Sequence, residues 1–271
     1  MRTLKLISFL SAFSFFFLIG CESGSSGGTS DGGETGDSTQ TGDTTQTDQS
    51  SDDLSDQTYG VDVSSNNGVI NWEAAREYQI QFAYARASEG ITLQDEKFSE
   101  NRSGMQEAGI TWGAYHFFYA GDPAEKQFDN FVGVVGDDAG DLPPMLDLEV
   151  AGLDTDTDIS VEDYQTEALS LLQLMEEKYG KRPIIYTSSN FGNQSYLHNE
   201  KFAKYTLWVA DYPDGMNSYP PSGEPIVPSP WKDKGWAIWQ FSDEGSFPNM
   251  SSGPYDMDYF KGSLEELKNL Q

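Results

Sequence analysis

The chain has 271 residues, with 44 acidic against 16 basic side chains, a formal net charge of −28 and a single cysteine. Such acidity excludes nucleic acid as an expected partner, because phosphates are held by clustered Lys and Arg. One cysteine excludes an internal disulfide framework and a Cys-rich metal site.

Three segments differ in chemistry. In residues 1–20, Arg2 and Lys5 precede an apolar run from Leu6 to Gly20, short for a mature membrane span but suited to a signal-peptide core. The run ends Leu18-Ile19-Gly20-Cys21, which resembles the lipobox of bacterial lipoproteins. That resemblance implies a lipid on Cys21, a membrane anchor and an exported protein. Residues 21–58 are almost entirely Ser, Thr, Gly, Gln, Asp and Glu, with Leu54 the one large apolar residue and no Lys or Arg. This composition cannot bury enough surface to offset the entropy of ordering, so a disordered tether with a reach of about 30–35 Å is expected. It carries nine acids (Glu22, Asp31, Glu34, Asp37, Asp43, Asp48, Asp52, Asp53 and Asp56), which leaves 35 acids against 14 bases, a net charge of −21, on residues 59–271. With no internal repeat and no second Pro/Gly/Ser-rich break, residues 59–271 read as one domain.

Within it, strands and helices alternate. Strands are expected at Tyr59–Val63, Phe82–Ala87, Trp112–Phe118, Pro144–Val150, Pro183–Thr187, Thr206–Ala210 and Trp236–Phe241. Helices are expected at Trp72–Tyr78, Asp95–Ala108 (closed by Gly109), Pro123–Val135 and Val161–Tyr179 (closed by Gly180). This order predicts an α/β fold with a parallel sheet and crossover helices. Some eight strands in this length predict a TIM-like barrel whose helices thin out after Leu207. No Gly-rich phosphate loop follows the first strand, so a dinucleotide-binding sheet is not expected.

Acids interrupt the apolar strands at particular places. Asp62 ends the first strand, and Asp147 and Glu149 end the fourth in Met-Leu-Asp-Leu-Glu-Val. Residues two apart in a strand share a face, and barrel active sites lie at the C-terminal strand ends. A strand-end acid can also cap a helix or pair with a cation, but capping uses only one of Asp147 and Glu149. Crowded carboxylates raise one another's pKa, as a general acid requires. Paired carboxylates among aromatics point to glycoside hydrolysis. His116 and His198 are the only histidines, too few for a His-rich zinc site. Neither a nucleophile elbow nor a Walker loop is present. No metal and no cofactor are expected.

The ordered segments YGVDVSSNNGVINW (59–72), FAYARASEGITLQDEKFSEN (82–101), AGITWGAYHFF (108–118), LPPMLDLE (142–149), RPIIYTS (182–188), LWVADY (207–212) and WAIWQFS (236–242) resemble the glycoside hydrolase family 25 lysozymes, the Chalaropsis-type muramidases. The resemblance spans about residues 59–260. It implies an irregular barrel with fewer helices than strands, and hydrolysis of the β-1,4 bond between N-acetylmuramic acid and N-acetylglucosamine in peptidoglycan. It maps the family's acids onto Asp62, Asp147, Glu149 and Asp256, with Glu149 as general acid. Asp147 would stabilise positive charge or orient the substrate acetamide. Related sequences often carry Asn where this chain has Asp258. Tyr115, Tyr186, Tyr212 and Trp239 are expected to bind substrate, and Arg86 to be a charge partner in the site. A monomer is expected. A non-catalytic glycan-binding lipoprotein is the competing reading. A chitin-directed hydrolase is disfavoured because the DxxDxDxE run of family 18 is absent.

Overall fold

The computed structural model describes residues 57–153, 159–251 and 253–270. The expected signal peptide, Cys21 and the tether as far as residue 56 lie outside the described residues. Thr58, assigned above to the tether's end, is instead the first residue of a strand, and its hydroxyl donates to the Gly262 carbonyl at 2.7 Å.

Among the described residues nine strands form one sheet: β1 (Thr58–Val63), β2 (Phe82–Glu89), β3 (Leu93–Gln94), β4 (Thr111–Phe117), β5 (Met145–Asp147), β6 (Ile184–Ser188), β7 (Thr206–Ala210), β8 (Ile238–Gly245) and β9 (Tyr255–Phe260). All but β3 close into a barrel of order β1-β2-β4-β5-β6-β7-β8-β9, with β9 returning to β1. The helices are α1 (Trp72–Glu77), α2 (Phe98–Ala108), α3 (Ala124–Val135), α4 (Val161–Tyr179), the single turn α5 (Ser189–Gly192) and α6 (Leu264–Lys268). No α-helix lies between β7 and β8, so helices are fewer than strands and thin out in the second half.

Two local expectations are corrected. The all-parallel sheet is interrupted by β9, which is absent from the expected strands and runs antiparallel to both β8 and β1. The connection 246–254 is too short for the crossover of about a dozen or more residues that a parallel return needs. Helix α2 starts at Phe98 rather than Asp95, because the Asp95 carboxylate is engaged elsewhere. It accepts from Ser65 N (2.9 Å), Lys97 N (2.9 Å) and Arg86 Nε (3.0 Å). The stops after α2 and α4 are as expected: Gly109 (φ 70°) and Gly180 (φ 64°) take left-handed conformations that glycine adopts at little cost.

Alternation along the strands separates two cores. Outward residues such as Val61, Ala83, Leu146, Ile185, Val209 and Trp239 pack in the layer that includes helix residues Phe131, Leu172 and Met175. Inward residues Phe82, Tyr84, Met145, Ile184, Trp208 and Ile238 fill the lumen. Trp208 is the hub there, meeting Tyr84, Tyr186 and Phe82 edge-on at 5.0, 5.8 and 6.4 Å between ring centres. Two glycines make the space. A Cβ at Gly60 would lie 2.3 Å from the Phe82 ring, and one at Gly113 would lie 2.4 Å from the Tyr84 ring.

Gly113→Ala is therefore expected to lower unfolding stability by about 1–3 kcal/mol through overpacking. Urea denaturation read by tryptophan fluorescence checks this, and an unchanged midpoint would mean that the lumen has slack.

Candidate active site

The C-terminal strand ends frame a cleft of about 190 Å³ lined by Asp62, Ser64, Asn66, Arg86, Tyr115, Phe117, Met145, Asp147, Glu149, Tyr186, Gln240 and Asp256. It is smaller than grooves on the flank of the barrel, such as one of about 950 Å³ lined by Gln173, Arg182, Lys204, Trp231 and Lys234. Those grooves lack the convergent buried acids that mark a chemical centre.

The sheet sets the spacing of the acids. Asp62 on β1 stands opposite Asp256 on β9 in the ladder. Asp147 ends β5 beside Tyr186 of β6. The ladder of β5 stops at Asp147, but the chain stays extended through Glu149 (φ −130°, ψ 165°), and Leu148 N still bonds the Tyr186 carbonyl at 2.9 Å. Asp147 and Glu149 thus share a face, near enough for the charge of Glu149 to act on Asp147. Asp147 and Asp62 are buried, whereas Glu149 is only partly buried and reaches the cleft mouth.

Burial penalises the charged form of each acid. It pushes the Asp62 carboxyl up to about 7; a hydrogen bond from Gln240 opposes the rise and the Glu149 charge adds to it. Burial, then the charges of Glu149 and Asp62, hold Asp147 well above the carboxylate range, with Arg86 opposing. Burial also raises Glu149, with the neighbouring Asp147 opposing the rise. Asp256 is raised well above the usual range by burial, then by Asp62, Asp243 and Glu149. A cluster of this kind holds protons at neutral pH and can deliver one.

Arg86 lines the cleft but is not a free partner for these acids. Its guanidinium pairs with Asp95 (3.0 Å) and Glu89 (3.2 Å), and Glu89 in turn accepts from the Tyr119 hydroxyl at 2.7 Å. Tyr115 and Tyr186 line the cleft as expected. Tyr212 is half exposed at the rim, where its hydroxyl donates to Gln240 Oε1.

Trp239 is not brought to the cleft, which corrects the expectation for it. It lies fully buried on the outer face of β8, with its Nε1–H on the Asp211 carbonyl at 2.8 Å. The adjacent Gln240, missed in the sequence, takes the inward place. Gln240 Nε2 donates to Asp62 at 2.6 Å, and its Oε1 accepts from the hydroxyls of Tyr186 (2.6 Å) and Tyr212. Its signal was available: it is the one polar residue in the apolar run Ile238–Phe241. His116 is remote from this chemistry. It is buried between Ser88 Oγ (2.8 Å) and Gln127 Oε1 (3.1 Å), and burial lowers its pKa to about 4.

Comparison with known proteins agrees with this arrangement. The family model described as "Glycosyl hydrolases family 25" matches residues 61–250. The uncharacterized protein YegX of Escherichia coli K12 is 31% identical, over 78% of this chain and 72% of its own. Lysozyme M1 of Streptomyces globisporus is 30% identical, over 77% and 69%. The crystal structure of the bacterial lysozyme from Streptomyces coelicolor superposes with a TM-score of 0.68 at 28% identity, covering 78% of this chain and 95% of that one.

The raised acids have a consequence for stability. Because the Asp62 carboxyl rises from 3.8 to about 7 on folding, the folded state holds a proton that the unfolded chain has released. Its contribution is fully present below about pH 4 and is lost as pH rises through about 7. Urea denaturation at pH 4.5 and 7.5 should show wild type losing more stability across this window than Asp62→Asn, by on the order of 2–4 kcal/mol. Equal losses would show that Asp62 does not titrate there.

Proposed function

The chain belongs to glycosyl hydrolase family 25, and from that premise we propose a lysozyme that cleaves the β-1,4 bond between N-acetylmuramic acid and N-acetylglucosamine in peptidoglycan. The observation that carries the reading is the pair Asp147 and Glu149, lining the cleft together with Asp62 and Asp256. Names borne by relatives, lysozyme M1 among them, support the substrate.

Glu149 is the general acid. It is the member of the pair at the cleft mouth, its pKa is raised by burial, and a glycosidic oxygen seated there would take its proton as the bond breaks. Once Glu149 has given up its proton, it and the deeper Asp147 together carry one negative charge that faces the developing positive charge. Asp147, on the same face, is placed to orient the substrate's 2-acetamido group and to stabilise the positive charge that develops as the bond breaks, and a water then completes the hydrolysis with Glu149 taking its proton. Asp62 and Asp256 hold the sugar and keep the local pKa values high, and Tyr115, Tyr186 and Tyr212 supply walls and hydroxyls.

The localisation belongs to the same proposal. Export with a lipid on Cys21 is supported by the basic start, the apolar run and the position of the single cysteine directly after it. The segment between Cys21 and the domain would then hold the enzyme within reach of the wall.

Glu149→Gln is expected to lower the rate of reducing-end release from purified peptidoglycan by about 100- to 10,000-fold. Mass analysis of the products should give muramic acid at the new reducing ends for wild type. Intact glycan bound without cleavage by wild type would instead identify an inert binder. Labelled palmitate should enter the wild-type protein but not Cys21→Ser, and an unlabelled wild type would refute the anchor.

A further inference from the structure

One buried carboxyl is not used by the mechanism above. Asp258 lies two residues beyond Asp256 on the same face of β9, one step deeper into the lumen, and is fully buried. Its ladder partners are Gly60 of β1 and Gln240 of β8. The groups around it come from every neighbouring strand. Trp208 of β7 donates its indole N–H to Asp258 Oδ1 at 3.1 Å. Asp62 of β1 and Asp256 on β9 are near enough for their charges to act on it, and its own charge acts on Tyr84 of β2. From outside the barrel, the Tyr219 hydroxyl takes the Gly60 carbonyl at 2.5 Å. None of these is a cation, and the cation of the cleft, Arg86, is committed to Asp95 and Glu89.

The other oxygen of Asp258 decides its state. Oδ2 is buried with no donor directed at it. As a carboxylate it would be an unpaired anionic oxygen in an apolar lumen, which is strongly unfavourable. As a carboxylic acid its O–H is a donor, and the carboxylate of Asp62 above it is an acceptor. Asp62 already accepts from Gln240 through Oδ2. A second donor completes a cradle that fixes the orientation of its carboxylate.

We propose that Asp258 stays protonated throughout the working pH range and donates its proton to Asp62 in a hydrogen bond, acting as a positioning residue beneath the catalytic acids. No proton is consumed, because the hydrogen remains on Asp258 while Asp62 is steered between it and Gln240. The burial of Asp258 and the nearby charges of Asp62 and Asp256, which raise its pKa well above the usual range, act in the same direction.

Two substitutions separate this role from that of a buried anion. In Asp258→Asn the amide keeps both contacts, with Oδ1 accepting from Trp208 and Nδ2 donating to Asp62. The limb of the kcat/KM–pH profile set by Asp62 should then overlay that of wild type. Asp258→Leu removes the donor, which disfavours the Asp62 anion, so that limb should move up by about one pH unit or more. An anionic Asp258 predicts the opposite for the amide: loss of a like charge would move the limb of Asp258→Asn down, and that result would overturn the proposal. Carbon-13 NMR of aspartate-labelled wild type gives a direct reading, with the Asp258 carboxyl assigned by its disappearance in Asp258→Asn. It should keep the shift of a protonated acid from about pH 5 to 8, and a titrating or carboxylate signal would overturn the assignment. The activity arm rests on the hydrolase reading above. The NMR arm does not, so a protein without muramidase activity would still reveal the state of Asp258.

Discussion

The acids at the cleft depend on the closed lumen beneath them. Trp208, Phe82 and Tyr84 fill the barrel from wall to wall, and Gly60 and Gly113 give up their side chains so that the rings fit. Water therefore reaches Asp62 and Asp147 only from the cleft, and their protonation is governed by burial more than by any ion pair. Burying an aromatic ring contributes about 2–3 kcal/mol. Holding the Asp62 carboxyl near pKa 7 costs on the order of 4 kcal/mol at neutral pH. The packing that makes the site dry is also what offsets the instability the site introduces.

The single cleft arginine shows how charge is apportioned around this centre. Arg86 points into a space ringed by acids, yet its strong contacts go to Asp95 and Glu89, away from the catalytic pair. Through Asp95 it ties β2 to Ser65, in the turn after β1, and to Lys97, at the start of α2. A guanidinium directly on Asp147 or Glu149 would hold that carboxyl ionised and remove the proton that the chemistry needs. By fixing the surrounding loops instead, Arg86 leaves the pair under the influence of burial and of each other.

How much of this was legible in the sequence follows from what each residue type makes costly. Asp62, Asp147 and Glu149 could be read because charges inside apolar strands have few explanations other than function. Strands and helices of ordinary amphipathic pattern could be read for the same reason, along with the glycine stops at Gly109 and Gly180. Strand β9 could not. Tyr-Asp-Met-Asp-Tyr-Phe alternates polar with apolar as a solvent-facing strand would, but here the acids face the lumen, while Tyr255, Met257 and Tyr259 face the outer layer. Trp239 is hard to place from sequence because Ile238-Trp239-Gln240-Phe241 offers an aromatic-rich face and a mixed face, and aromatic rings suit both a core and a sugar site. Only closure of the barrel shows that the polar Gln240 points inward. Arg86 was expected beside the acids, and its commitment to Asp95 depends on a loop that composition alone does not place.

The pairing of β1 with β9 bears on how the protein comes into being. Asp62 and Asp256 face each other across a ladder that joins the first and last strands of the barrel, so the site belongs to no single contiguous segment. A chain emerging N-terminus first presents Asp62, Asp147 and Glu149 well before the strand that seals the lumen exists. Contacts of such long sequence separation form slowly, since loop closure must precede them. An enzyme directed at the cell wall thus has no assembled centre until β9 has been made, and a product truncated before Tyr255 would be inert.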